Sequence, residues 1–160
     1  MHDSPHGKDA IFDAARRGDL ATLKQLIAAG VNLNITDARG FTPLIYTCYE
    51  GHLEACRLLL EDTGVDIDAQ DAGGNTALMG VAFKGNTDIA ELLLEQGANP
   101  DLQNATGSTA LMFACMFGRT PMIRLLSERG ANKSLTDARG LRAYDLALQQ
   151  GNQEALQYLQ

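Results

Sequence analysis

Tryptophan is absent from this chain of 160 residues, histidine occurs three times and cysteine three times. Each shortage narrows the chemistry on offer. An enzyme site needs a nucleophile, a base or a metal cluster gathered in one place. His2 and His6 sit at the start of the chain and His52 stands alone. The cysteines form no Cys-x-x-Cys pair and lack metal-ligand spacing, so no metal and no cofactor are expected. Positive charge is short as well: the net charge is −7, which weighs against nucleic acid as a partner, because that binding rests on neutralised phosphates. No apolar run approaches the roughly 18 residues of a membrane span, so no membrane partner is expected. An odd number of cysteines without a secretion signal favours reduced thiols and a cytoplasmic setting.

Apolar residues make up 45% of the chain and charged residues 21%, a balance that suits a folded protein. Met1 to Lys8 has no apolar core and does not read as a secretory signal. Residues 1–8 are expected to be a flexible tail, ahead of a single domain over residues 9–160.

Within that domain one short stretch recurs. Gly40-Phe41-Thr42-Pro43-Leu44 is echoed by Gly74-Asn75-Thr76-Ala77-Leu78 and Gly107-Ser108-Thr109-Ala110-Leu111, with a worn copy at Gly140-Leu141-Arg142-Ala143-Tyr144. The glycines are spaced 34, 33 and 33 residues apart, and a fixed period of this size marks a repeat array. Each copy has a local logic. The glycine supplies a turn, the threonine can cap a helix, and Pro43 suits a first helical position. The repeats are placed at about 9–36, 37–70, 71–103, 104–136 and 137–160. One extra residue near Asp62-Thr63-Gly64 accounts for the longer interval, and a loop absorbs such an insertion at little cost. Gly64 falls in a column with Gly30, Gly97 and Gly130 that follows helix ends, where a left-handed residue is wanted.

Thr42-Pro43-Leu44, Gly51-His52-Leu53-Glu54 and Gly97-Ala98-Asn99 resemble the ankyrin repeat, a family with a period of about 33 residues. The resemblance covers residues 9–160. It implies an all-α fold: a curved solenoid of stacked helix-turn-helix units with β-turn fingers along one edge. The histidine that the family carries after Thr-Pro-Leu is replaced by Ile45, Met79, Met112 and Asp145, which reads as divergence within the fold. His52 stands where ankyrin repeats often carry histidine, so a structural role is expected for it.

Two fragments look like ligand sites and fail. Asp66, Asp68 and Asp71 suggest a calcium loop, but Gln70 holds the third ligand position and no glutamate closes it. Gly80 to Gly85 has phosphate-loop glycine spacing, but Asn86-Thr87 replaces the required lysine and hydroxyl residue. The cysteines read as small hydrophobes in core columns. The chain is therefore expected not to be an enzyme.

Side chains turned outward offer more. Six of the nine aromatic residues, Phe41, Tyr46, Tyr49, Phe83, Phe113 and Phe117, fall in finger or inner-helix columns of the three middle repeats. Aromatic residues at such density suit a binding surface. Phe41, Tyr49, Phe83, Met116 and Phe117 are the expected anchors, Tyr46 and Phe113 complete the expected binding surface, and Gly80 leaves a notch between Tyr46 and Phe113. Arg39, Lys84 and Arg139 supply a basic rim that would steer an acidic partner. The expected function is non-catalytic protein binding on this concave aromatic and basic surface, by a monomer, to a protein with an acidic rim and an apolar anchor. The alternative is an inhibitor or immunity-type protein that neutralises a specific enzyme or toxin.

Overall fold

The computed structural model describes residues 5–160. Ten helices follow one another: α1 (Pro5–Arg17), α2 (Leu20–Ala28), α3 (Pro43–Tyr49), α4 (Leu53–Leu60), α5 (Ala77–Lys84), α6 (Thr87–Glu95), α7 (Ala110–Met116), α8 (Thr120–Glu128), α9 (Ala143–Gln149) and α10 (Gln153–Leu159). No strand occurs among the described residues. Odd-numbered helices pack side by side in one layer and even-numbered helices in a second, and each repeat joins one of each as a hairpin. The result is a solenoid of five helical pairs.

The first helix begins at Pro5, ahead of the expected boundary at Asp9. Proline is well placed at a first helical position, since its missing N–H has no helical partner there in any case. The first four residues of the expected tail, with His2, lie outside the described residues.

Capping explains why the inner helices start where they do. The hydroxyls of Thr42, Thr76 and Thr109 accept the backbone N–H of Ile45 (3.1 Å), Met79 (3.2 Å) and Met112 (3.2 Å). In the last repeat the roles reverse: Arg142 occupies the cap position, and the Asp145 carboxylate accepts its N–H at 2.9 Å. Leu44, Leu78 and Leu111, two residues past each threonine, are buried as the pattern requires. Ala15, Cys48, Ala82 and Cys115 fill a column of small buried residues where neighbouring inner helices meet.

The fingers close on a recurring Asp or Asn. Asp37, Asp71, Asn104 and Asp137 each use one side-chain oxygen to accept two backbone N–H groups of their own turn. Successive fingers are then tied together by backbone hydrogen bonds. Ala72 N–H donates to the Arg39 carbonyl (2.9 Å), Ala105 to Gly73 (3.0 Å) and Ala138 to Thr106 (2.9 Å). This approach leaves no room for a side chain on Gly40, Gly74 and Gly107. A Cβ at Gly40 would lie 2.7 Å from the Ala72 nitrogen, and one at Gly107 would lie 2.9 Å from the Ala138 nitrogen.

The acidic loops have a structural use too. Asp68 and Asp101 accept N–H groups of Asn99 (2.9 Å) and Asn132 (2.8 Å) in the following repeat. Asp66 caps its own loop through Asp68 N–H (3.0 Å). Gly64 departs from its expected column, because it is not among the glycines with positive φ. With one extra residue present, Asp62 organises the turn instead, taking the Gly64 N–H on its side chain (2.8 Å) and the Val65 N–H on its carbonyl (3.1 Å).

Candidate functional site

A groove of about 390 Å³ opens between the first and second fingers and the inner helices α3 and α5. Its position follows from one residue. Gly80 lies in α5, where a Cβ would sit 3.2 Å from Cδ1 of Tyr49. The absent side chain lets the Tyr49 ring lean over the helix and leaves the floor open. Phe41, Ile45, Met79, Phe83 and Phe113 supply apolar walls, and Arg39, Glu50, Asp71 and Asn75 stand at the polar edge.

From this groove a ladder of rings crosses three repeats. Tyr49 lies parallel to Phe83 at 6.3 Å, Phe83 meets Phe117 edge-on at 4.6 Å, and Phe117 lies parallel to Phe113 at 6.5 Å. The separations and angles are those in which aromatic quadrupoles attract. Tyr49 remains 41% exposed and Phe117 47%, which is high for rings already committed to a stack. Lys84 places its ammonium 4.7 Å from the Tyr49 ring centre, and Arg39 its guanidinium 4.6 Å from that of Phe41. Neither cation makes a salt bridge among the described residues.

Tyr46 lines the floor of the groove but is largely covered. It is only 9% exposed and packs with the core. Its ring is held edge-on by Phe12 of the first repeat (5.9 Å) and by Phe41 (5.4 Å), and its hydroxyl donates to the Asp37 carboxylate. Burial first, and then the hydrogen bond to Asp37, raises the Tyr46 phenol above its ordinary pKa. Leu146, in the same column, is buried as well, and Phe113 is half-buried. This column points between adjacent inner helices.

Of the other expected residues, Arg39, Phe41, Tyr49, Phe83 and Phe113 come together around the groove. Lys84 and Phe117 join them through ring contacts. Met116 is half-buried and does not line the groove. Arg139 is in the last finger, paired with Asp137 at 3.0 Å, and is not brought to the groove either. Arg16 and Arg17 are both turned to Asp13, at 4.0 and 2.9 Å. The free basic charge at the groove therefore narrows to Arg39 and Lys84.

Sequence reading missed Arg119. Its Nε donates to the Phe83 carbonyl at 2.9 Å, putting a cation at the C-terminal end of α5, where the helix dipole favours one. A signal was present in the register: Arg119 follows Gly118 as His52 follows Gly51. His52 bonds through Nε2 to the Arg16 carbonyl (2.8 Å) in the same way, so its role is to tie two repeats together.

Asp37 connects the site to acid stability. Burial alone would raise its pKa, but the Tyr46 hydroxyl, the Phe41 and Arg39 N–H groups and the nearby Arg39 charge outweigh it and hold the carboxyl below its usual value. A carboxylate with a depressed folded-state pKa stabilises the fold fully above its unfolded value of about 3.9 and loses that contribution as pH falls through the folded value. Asp37→Asn keeps the turn acceptor, as Asn104 does in the third finger, and removes the charge. The variant is expected to unfold at lower denaturant than wild type at pH 7. That gap should narrow as pH is lowered below about 4, as read from denaturation midpoints across the range.

A family model described as ankyrin repeats (3 copies) matches residues 11–104 and 78–160. The chain belongs to the ankyrin-repeat family. Shorter matches tie its ankyrin repeats to curated proteins of varied kinds. It is 43% identical over 56 residues to protein phosphatase 1 regulatory subunit 12A of Mus musculus, covering 35% of this chain and 5% of that protein. It is 43% identical over 53 residues to ankyrin repeat domain-containing protein 29 of Homo sapiens, covering 32% and 18%. It is 33% identical over 58 residues to palmitoyltransferase AKR1 of Saccharomyces cerevisiae, covering 36% and 8%. The matched segment is thus less than a fifth of each relative's length. The ankyrin repeat is a module that serves protein interaction. No helix is long and apolar enough to cross a membrane among the described residues.

Proposed function

We propose that this ankyrin domain is a non-catalytic, monomeric, cytoplasmic binding module. Its partner is a protein that inserts one apolar side chain into the groove over Gly80 and sets acidic residues against Arg39 and Lys84. The observation that carries this reading is the ring ladder. Tyr49 and Phe117 stay more than two-fifths exposed beside an open apolar groove, and exposed aromatic clusters of this kind are the usual stuff of binding hot spots. The two unpaired cations favour an acidic rim on the partner, and the packed repeats would lose little conformational entropy on association.

Two of the reactive side chains are otherwise engaged, which supports a role without catalysis. His52 is committed to the Arg16 carbonyl. Burial pushes the Cys115 thiol up to about 12, far from the thiolate that a nucleophile requires.

Gly80→Ala tests the reading with little risk to the fold. Alanine in a helix interior is favoured over glycine by about 1 kcal/mol, while its Cβ must displace the half-free Tyr49 ring by a few tenths of an ångström. The variant should melt at or above the wild-type temperature and bind the partner captured by the wild-type domain at least tenfold more weakly. Unaltered affinity by calorimetry would place the docking surface elsewhere.

A further inference from the structure

Cys48 in α3 and Cys56 in α4 meet in the core of the second repeat, with their sulfurs 3.1 Å apart. Both side chains are sealed from solvent, and both thiols are free. The Cys56 thiol also donates to Thr47 Oγ1 at 3.3 Å, and that hydroxyl donates to the Leu44 carbonyl at 2.9 Å. The pairing is peculiar to this repeat. Cys115 occupies the column of Cys48 two repeats on, but Ile123 stands there in the column of Cys56. A core position that needs only a small hydrophobe is met by Ala15 and Ala82 in the same column. Packing therefore accounts for either thiol alone and not for their meeting.

We propose that Cys48 and Cys56 are a redox-active dithiol that closes an intrachain disulfide on two-electron oxidation by a peroxide. The inference does not depend on the partner reading. Hydrogen bonding from the Cys48 thiol is the main influence lowering Cys56, while burial above all raises Cys48. Cys56 is accordingly the first to react. Its thiolate attacks one peroxide oxygen, the O–O bond breaks, and the departing hydroxide takes a proton to become water, leaving a sulfenic acid on Cys56. Cys48 sulfur then attacks the Cys56 sulfur, the S–O bond breaks, and a second water leaves with the Cys48 proton. Two thiols and one peroxide yield one disulfide and two waters. Since the sulfurs are covered, peroxide reaches them through local opening of the α3–α4 hairpin.

The test uses the folded full chain, one equivalent of hydrogen peroxide, and maleimide blocking in denaturant. The expected product is two hydrogens lighter and carries one maleimide, on Cys115, in place of three. Trypsin leaves both cysteines of the pair in Gly40–Arg57, and cleavage after Glu50 should separate the two parts only after reduction. Cys48→Ser should halt the reaction at a Cys56 sulfenic acid that dimedone captures, with circular dichroism confirming the helical fold. Three maleimides, oxygen adducts in place of the disulfide, a bond between two chains, or Cys115 reacting as fast as the pair would each overturn the proposal.

Discussion

Gly107→Ala is expected to destabilise the protein by about 3 kcal/mol, and Gly140→Ala by only about 1–2 kcal/mol. The two glycines share a backbone conformation, with φ of 78° and 80°, so the left-handed penalty of roughly 1–2 kcal/mol for an alanine applies to both. What separates them is the next finger. A Cβ on Gly107 would meet the Ala138 nitrogen at 2.9 Å and the Asp137 Cα at 3.0 Å, whereas one on Gly140 would meet nothing within 4 Å. Backbone cannot swing aside as a side chain can. Relief means parting the Ala138 to Thr106 hydrogen bond, and overpacking of this kind typically costs about 1–3 kcal/mol more. Denaturant midpoints of the two variants, side by side, measure the difference. Equal losses would mean that the fingers are not held at the observed separation.

The second large effect concerns binding. Tyr49→Ala combined with Phe83→Ala is expected to weaken partner affinity by at least about 2 kcal/mol, or roughly thirtyfold. The stability cost should be modest. Tyr49 is already 41% exposed, and Phe83 is half-buried between Tyr49 and Phe117. Losing the Tyr49–Phe83 and Phe83–Phe117 contacts forfeits about 0.5–1.5 kcal/mol apiece beyond the area they bury, and a half-buried ring loses less than the roughly 3–5 kcal/mol typical of a fully buried phenylalanine. Calorimetric titration and thermal melts on the same preparations separate the two quantities. A pair that unfolds the domain would mark these rings as core, and a pair that binds normally would remove them from the docking surface.

The architecture was legible because a repeat states its instructions several times. Glycine, threonine and leucine at fixed offsets specify turn, cap and buried ridge, and each copy checks the others. Burial of a single ring was harder to foresee. Tyr46 is sealed by Phe12 from the preceding repeat and by a carboxylate nine residues upstream, neither of which follows from its own column. Arg139 lies apart from the groove for a related reason: in the last finger it turns to Asp137. The ring contacts were legible because residues one repeat apart face each other on neighbouring helices, as Tyr49, Phe83 and Phe117 do. Gly64 misled because an insertion changed its turn while leaving the residue type intact.

The ties between repeats have a kinetic consequence. Side-chain hydrogen bonds that cross from one repeat to another join residues 29 to 36 positions apart. No distant segment has to find its mate before structure can grow, so the entropy of closing each loop stays small. Assembly can begin at whichever adjoining hairpins meet first and spread outward in both directions.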